Sequence, residues 1–449
     1  MINKKTLDWY EGKVTLETRD ALTGKLCQRV ESKNFAANQV IRYAKWLQRS
    51  YYKAGITSIG SSDTDYPPHT PITALVLTDS TLSENAATEW TVPGKLIGYA
   101  NKSTYAGTDI YRGTPNITQL DAKPTYTKWV FDWPTNAANG TINSVCWVRD
   151  VYLDSGTTGS GPYFSTSMTT EQTWTSTGGW TFFARESGSR SYGVSGTAST
   201  VVSVMDSTYS QTTTFNVNGQ FTAIQGITWD SSNSFLWVIG ANGAARRIAA
   251  YDSAGVLQTG PFATTTRSYI ALAHDGTRLW SAVLNSGVSY TMYAIDTTNG
   301  NDMTNFNFST YYNTFYAYTS GVCGLAWDST YSRLWVRTDY PVAAANDSNG
   351  LGTRAAMYSF DTSGNPQTPM VNLTSYTPST GSFDNRLWPA ASANRRDFDM
   401  IDANQFAMPL GSTIYRVRAD GLATRALLPS PVTKTNTQTL KVIYQINYS

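Results

Sequence analysis

Gly226-Ile227-Thr228-Trp229-Asp230-Ser231-Ser232-Asn233-Ser234-Phe235-Leu236-Trp237-Val238 is a short apolar run, an Asp with small polar residues behind it, and a second apolar run centred on Leu-Trp. Two antiparallel strands joined by a tight turn have this pattern, the Asp side chain accepting hydrogen bonds from turn amides. It returns as Ala271-Leu272-Ala273-His274-Asp275-Gly276-Thr277-Arg278-Leu279-Trp280, and again from Gly324 to Val336 with Trp327, Asp328 and Trp335 in register. Downstream of each copy a third apolar run ends in Asp, at Asp252, Asp296 and Asp361, and a fourth segment follows a turn. Four antiparallel strands per unit, repeated, is the signature of a β-propeller. Thr200 to Asp206 reads as the third strand of an earlier unit, and Phe398 to Phe406 with Ile414–Val417 and Asp420 as a later one. The unit-closing acids 206, 252, 296, 361 and 420 stand 46, 44, 65 and 59 residues apart, which predicts about five blades, two with long inserted loops.

At 449 residues, two domains are the prior. Only 15% of residues are charged and the net charge is +2, so polarity comes from Ser, Thr, Asn and Gly beside 28 Tyr, 16 Phe and 14 Trp. Such a composition favours strands and turns. Without clustered Lys and Arg to neutralise phosphates, nucleic acid is not an expected partner. Cys27, Cys146 and Cys323 lie in separate strand-like runs without CxxC spacing and read as small buried hydrophobes. Met1–Asp8 lacks the apolar core of a signal peptide and no segment has membrane-span length. A chain made in the cytoplasm, yet with an adhesin-like low-charge aromatic surface, fits a virion component.

Outside the repeats, Val14/Leu16 and Leu26/Gln28/Val30 alternate on either side of Ala21-Leu22-Thr23-Gly24, a hairpin. Asn38 to Lys53 reads as the one helix, with Val40, Tyr43, Ala44, Leu47 and Tyr51 on one face. Strand-like runs follow at Thr73–Thr78, Lys95–Ala100, Thr127–Trp133 and Thr141–Val151, with Asn139-Gly140 as a hairpin turn. The Ser/Thr/Gly-rich residues 156–178 read as a linker, and Leu428-Pro429-Ser430-Pro431 as a second. Leu440, Val442, Tyr444 and Ile446 alternate in a final strand that needs a sheet to join. The expected fold is therefore all-β. A β-sandwich-like N-terminal domain (1–155) with one α-helix is completed by 432–449 and carries a propeller (179–428) as an insertion.

Gly12-Lys13-Val14-Thr15-Leu16-Glu17, Thr23-Gly24-Lys25 and Glu31-Ser32-Lys33-Asn34-Phe35-Ala36-Ala37-Asn38 resemble the opening of tailed-bacteriophage structural proteins. Phe131-Asp132-Trp133 with Ala138-Asn139-Gly140-Thr141-Ile142 is similar to a hairpin of the same proteins, and Thr433 to Tyr444 to their C-terminal strand. The resemblance covers the first 155 and last 20 or so residues. It implies a virion protein of the tail, baseplate or a fibre, a homo-oligomer in contact with other virion proteins, presenting the propeller outward.

No HExxH, GxSxG, P-loop or dinucleotide fingerprint occurs, and two histidines, His69 and His274, leave no His/Cys metal site. No enzyme, metal or cofactor is expected. Most propeller acids occupy turns; Asp302, Asp339, Asp347, Asp384, Asp397 and Asp399 are unplaced, which keeps a polysaccharide-degrading enzyme open as an alternative. The candidate ligand-binding residues are Tyr311, Tyr312, Asn313, Tyr316 and Tyr318, in the 65-residue interval, with Asn346–Gly350 in the other long interval. Their aromatics either stack on sugars of a host-surface glycan or pack between blades. A head-fibre or decoration protein with contacts only inside the virion is the further alternative.

Overall fold

A computed structural model describes residues 10–36, 72–85, 92–149, 151–152, 163–307, 321–339, 356–376, 383–384 and 397–448. Residues 102–103, 124–125, 265–266, 268, 285–289, 373–374, 404 and 421 are excepted. The expected helix over 38–53 lies outside these. Among the described residues every regular element is a strand.

The chain opens with a long hairpin, β1 (Tyr10–Asp20) and β2 (Leu26–Ala36). Asp20 Oδ1 accepts hydrogen bonds from the Leu22 and Thr23 amides and closes its turn. Then come β3 (Ile72–Thr78), β4 (Leu96–Ala100), β5 (Thr114–Pro115) and β6 (Asp121–Lys123). β7 (Tyr126–Trp133), β8 (Gly140–Arg149) and β9 (Val151–Tyr152) complete the N-terminal run. In the β7–β8 turn the left-handed residues are Ala138 and Gly140, while Asn139 donates to Thr135 O.

β10 (Tyr163–Thr175) leads into a ring of sheets. Sheet I is β11 (Phe182–Arg185), β12 (Ser191–Val194), β13 (Val201–Met205) and β14 (Gln211–Asn216). Sheet II is β15 (Ala223–Asp230), β16 (Phe235–Asn242), β17 (Ala245–Tyr251) and β18 (Leu257–Thr264). Sheet III is β19 (Tyr269–His274), β20 (Arg278–Leu284), β21 (Tyr290–Asp296) and β22 (Asp302–Asn307). Sheet IV is β23 (Gly321–Asp328), β24 (Arg333–Asp339), β25 (Ala356–Phe360) and β26 (Pro366–Asn372). β27 (Ser375–Tyr376) and β28 (Phe383–Asp384) pair with each other. Sheet V holds β29 (Asp399–Asp402), β30 (Gln405–Leu410) and β31 (Thr413–Asp420), and β10 pairs antiparallel with β31 as its fourth strand. A short parallel contact of β10 with β26 joins sheets IV and V. The innermost strands pack in sequence, β11 on β15, β19, β23 and β29 in turn, and β29 returns to β11. The ring is closed and is a β-propeller.

β10 falls inside the stretch 156–178 expected to be a linker. Its polarity is that of Thr, whose β-branched side chain favours a strand as readily as Ser and Gly favour a loop.

The repeated motif supplies the inner turns of sheets II, III and IV. Asp230 Oδ1 accepts from the Ser232 and Asn233 amides, Asp275 Oδ1 from Thr277 and Arg278, and Asp328 Oδ1 from Thr330 and Tyr331. The other oxygen takes the indole N–H of the following strand: Trp237 at 3.4 Å, Trp280 at 2.8 Å and Trp335 at 3.5 Å. Arg278 and Arg333 add Nε–H bonds of 2.8 and 3.0 Å and lie over the Trp280 and Trp335 rings. Sheet I has the same arrangement in other residues, Glu186 accepting from Tyr192 and Arg190.

Two tiers of contact join the sheets. The residue before the turn acid reaches back one sheet: Trp229 stacks on Tyr192, His274 Nδ1 lies 3.4 Å from Asp230, and Arg185 donates to Met400 O. Trp327 packs on the cluster that holds Trp280. Farther out, Phe215, Phe262 and Phe306 of one sheet's fourth strand fill the space that a Cβ would need at Gly255, Gly300 and Gly364, in the outer turn of the next sheet. These glycines have positive φ, so both backbone and space demand Gly. At the closure, Trp174 of β10 takes the Phe place and meets Tyr209, itself at φ 59°, edge-on at 5.0 Å.

After the ring, β32 (Leu422–Lys434) and β33 (Gln438–Tyr448) return to the N-terminal strands. The antiparallel order is β4-β3-β8-β32-β2-β1-β33-β7-β5, with β6 on β7. Leu428–Pro431, expected as a linker, thus lies inside a strand. The two prolines sit where the β8–β32 register shifts between Leu427 and Val432, a bulge that spares the missing N–H groups. Its exposed carbonyls are met by Ser32 Oγ and Gln28 Nε2. Val14 and Leu16 share one core with Leu75, Leu77, Val145 and Trp147 from the sheet's other half, and Trp147 stacks on Tyr444 at 4.8 Å. Cys146 is buried, but Cys27 is exposed, because the hairpin tip projects beyond this core.

Replacing Asp328 with Ala removes a turn acceptor and takes a carboxylate from Arg333, which has no exposed surface. The expected loss is about 3–5 kcal/mol in urea unfolding. Asp252→Ala, at an outer turn in contact with water, should cost distinctly less.

Candidate functional site

Tyr311, Tyr312, Asn313, Tyr316 and Tyr318 lie outside the described residues, as do His69 and Asn346–Gly350. Because strands alternate in direction, the inner turns open on one face of the ring. The connections enter each innermost strand on the opposite face, beside the turns between second and third strands. The described residues that bracket the two long intervals, Asn307 and Gly321, Asp339 and Ala356, belong to connections of this second kind.

The acids left unplaced by the repeat can be followed where described. Asp302 accepts from Tyr269 Oη and pairs with Arg267 Nε at 3.0 Å, tying β22 to the start of its own sheet. Asp397 and Asp399 stand at the seam of the ring. Asp397 Oδ1 accepts from the Leu325 amide of sheet IV and from Phe398, and its own amide donates to Thr181 O beside sheet I. A Cβ at Gly324 would lie 2.8 Å from that carboxylate, so sheet IV approaches it backbone-first. Asp399 accepts from the Arg185 and Met400 amides, each at 2.7 Å. Burial pushes the Asp397 carboxyl well above the usual range, with Asp399 adding repulsion. Desolvation likewise lifts Asp399 to about 6, although the residue as a whole keeps partial exposure. Asp397 has no exposed surface and both acids are turned onto neighbouring strands, so their chemistry is that of a stitch. The side chains of Asp339, Asp347 and Asp384 lie outside the described residues.

His274 is buried, and desolvation holds its pKa below the ordinary value against the pull of Asp230 and Asp275. It is a neutral packing group between sheets II and III. No group of three or more His, Cys, Asp or Glu placed to hold a metal occurs among the described residues.

A cleft of about 600 Å³ opens on the N-terminal sheet, where the polar outer face of β1, β33 and β7 meets the loop 105–113. Glu17 and Arg19 come from β1, Asp132 from β7 and Lys441 from β33, in register with one another: Glu17 pairs with Lys441, and Lys441 with Asp132. The loop forms the rim. Tyr105 is pinned by its amide to Thr114 Oγ1 and by the Asp109 amide to its hydroxyl, at 3.0 and 2.9 Å. Arg112 lies 4.2 Å over the Tyr105 ring, and Gly113 lets the backbone pass against Trp133. None of these residues is among the candidate site residues read from the sequence. Tyr105-Ala106-Gly107 and Tyr111-Arg112-Gly113, aromatic and basic residues beside glycines in a loop, were the available signal.

No protein-family model matches the sequence, and no curated protein does. Solved structures that match include Kuenenia stuttgartiensis hydrazine synthase, at 13% identity and TM-score 0.34, covering 51% of this chain and 60% of that one. Myxococcus xanthus glutaminyl cyclase matches at 7% identity and TM-score 0.38, covering 58% and 99%. The WD40 β-propeller domain of Doa1 matches at 9% identity and TM-score 0.31, covering 56% and 97%. The propeller rests on the sheet order above, and no activity follows from these likenesses.

A raised carboxyl pKa in the folded state means that the native protein binds the proton more tightly than the unfolded chain. Stability is then fully present below the ordinary carboxylate value and is lost as pH rises through about 6. The urea midpoint should fall between about pH 4 and pH 7, and Asp399→Asn should flatten that slope. An unchanged slope in the variant would exclude Asp399 as its source.

Proposed function

We propose that the chain is a bacteriophage virion structural protein of the tail, baseplate or fibre type. In this reading a sandwich-like mount, built from both chain ends, is the attachment to other virion proteins. It holds a five-bladed propeller toward the host surface, as one subunit of a homo-oligomer. The observation that carries the reading is how the propeller is inserted. It is entered through β10 and left through β31, neighbours paired from Ser167–Asp420 to Thr175–Thr413, and a single residue separates β31 from β32 of the mount. Entry and exit side by side on paired strands make a short, stiff neck, as display of a rigid head requires.

The polar, weakly charged composition supports a surface made for prolonged contact with solvent and glycans. In this reading binding belongs to the long interval of sequence that holds Tyr311, Tyr312, Asn313, Tyr316 and Tyr318, since loops on a rigid scaffold are where recognition concentrates. The host-surface partner in this reading is a glycan, with the tyrosines stacking on sugar rings and Asn313 hydrogen bonding.

Antibodies raised against the full chain should label intact particles of the phage that encodes it, at the tail, in negative-stain electron microscopy. Labelling restricted to the capsid would replace this reading with that of a head-fibre or decoration protein. Release of the chain only in a soluble, particle-free fraction would end the virion reading.

A further inference from the structure

We propose that the cleft beside Arg112 binds an acidic sugar, a polyhydroxyl compound carrying one carboxylate. The site is on the mount and is independent of the reading of the propeller.

Five charged side chains line the cleft, and four of them are matched. Glu17 is held by Arg19 at 3.0 Å and Arg29 at 3.5 Å. Asp132 accepts from Asn116 Nδ2 at 2.6 Å and faces Lys441 Nζ at 3.9 Å, while Lys441 donates to Gln119 at 2.9 Å. Arg112 differs. Its backbone amide reaches Asp109 O at 3.4 Å, but its guanidinium makes no ion pair among the described residues, and its Nε donates to no acceptor. The nearby Asp109 carboxylate is occupied by Tyr99 Oη and the Tyr111 amide. What holds the guanidinium is the Tyr105 ring beneath it, itself fixed by Thr114 and Asp109. The plane is thus set before any ligand arrives, which lowers the ordering cost of binding. A planar guanidinium with free terminal N–H groups is suited to a carboxylate through two parallel hydrogen bonds.

Most of the remaining lining is apolar and suits the C–H face of a sugar ring, and the polar groups among it suit hydroxyls. Glu17 and Asp132 are acceptors that a bare anion would find repulsive, while their remaining lone pairs can accept from hydroxyls. Thr108, Asn136 and Thr439 supply groups of both kinds along the same walls. Three basic and two acidic side chains leave one positive charge over, which fits one carboxylate. A volume of about 600 Å³ has room for one or two sugar rings.

Calorimetric titration of the full-length protein with glucuronate, glucose and inorganic phosphate tests the proposal. Glucuronate should bind saturably, at least about tenfold more tightly than glucose or phosphate. Arg112→Gln should weaken it about tenfold with only a small fall in melting temperature, since the contact with Tyr105 is lost but no ion pair is, and Arg112→Lys should recover part of the affinity. Thr108→Trp, at an exposed loop position, should block the cleft without touching Arg112. The proposal is overturned by absence of saturable glucuronate binding, by equal affinity for phosphate (a general anion site) or for glucose, or by Arg112→Gln and Thr108→Trp variants that fold and bind normally.

Discussion

One carboxylate at the inner turn of each repeat organises the propeller. In sheets II, III and IV an Asp closes its own turn with one oxygen and holds the indole of the next strand with the other. Because side chains in a strand alternate with a period of two, a slip of one residue would turn Trp237, Trp280 or Trp335 out of the core. The Asp-to-indole bond forbids that slip. Its worth is therefore register more than net energy, since a buried charge bonded to a buried partner is seldom much better than well-packed apolar residues. The local signs agree: burial works to raise the Asp275 carboxyl, and the bonds from Trp280 and Arg278 outweigh it.

With each sheet's register fixed, the sheets can stack in only one way. The residue before the carboxylate points to the preceding sheet, and the outer Phe meets the following sheet's turn Gly, so sheets I to IV are keyed to one another at two radii. A closed ring must also join its last sheet to its first, across strands that are far apart in sequence. Here that junction uses the largest side chains of the series, Trp174 on Tyr209, together with buried acids bonded to amides of adjoining strands. β10 completes sheet V from the other end of the insertion, so the ring cannot open without unpairing the neck that ties it to the mount.

These constraints decide what could be read from sequence. Asp followed by Leu-Trp is local, and three copies reveal the propeller. Sheet I keeps the physics with Glu186 and Tyr192 in place of Asp and Trp, and of the three residue types only the Arg, as Arg190, is retained. β10 and β32 escaped for a related reason. Thr-rich and Pro-containing strands are recognisable only from their partners, β31 and β8, which lie about 250 and 290 residues away. The cleft was equally hidden, because Glu17, Asp132 and Lys441 meet only when β33 inserts between β1 and β7.

That insertion also divides the labour within the mount. The inward residues of β33, Leu440, Val442 and Tyr444, have almost no exposed surface, while Thr439 and Lys441 line the cleft on the other side. The same strand therefore closes the core and completes the polar surface. A cleft floored by a central strand paired on both edges is stiffer than one built on loops alone, and its rim, residues 105–113, is fastened to β4 by a bridge between Tyr99 and Arg112. Preorganisation of Arg112 over Tyr105 is possible because the rim rests on Trp133, whose indole donates to Tyr111 O and whose ring leaves room at residue 113 for nothing larger than glycine.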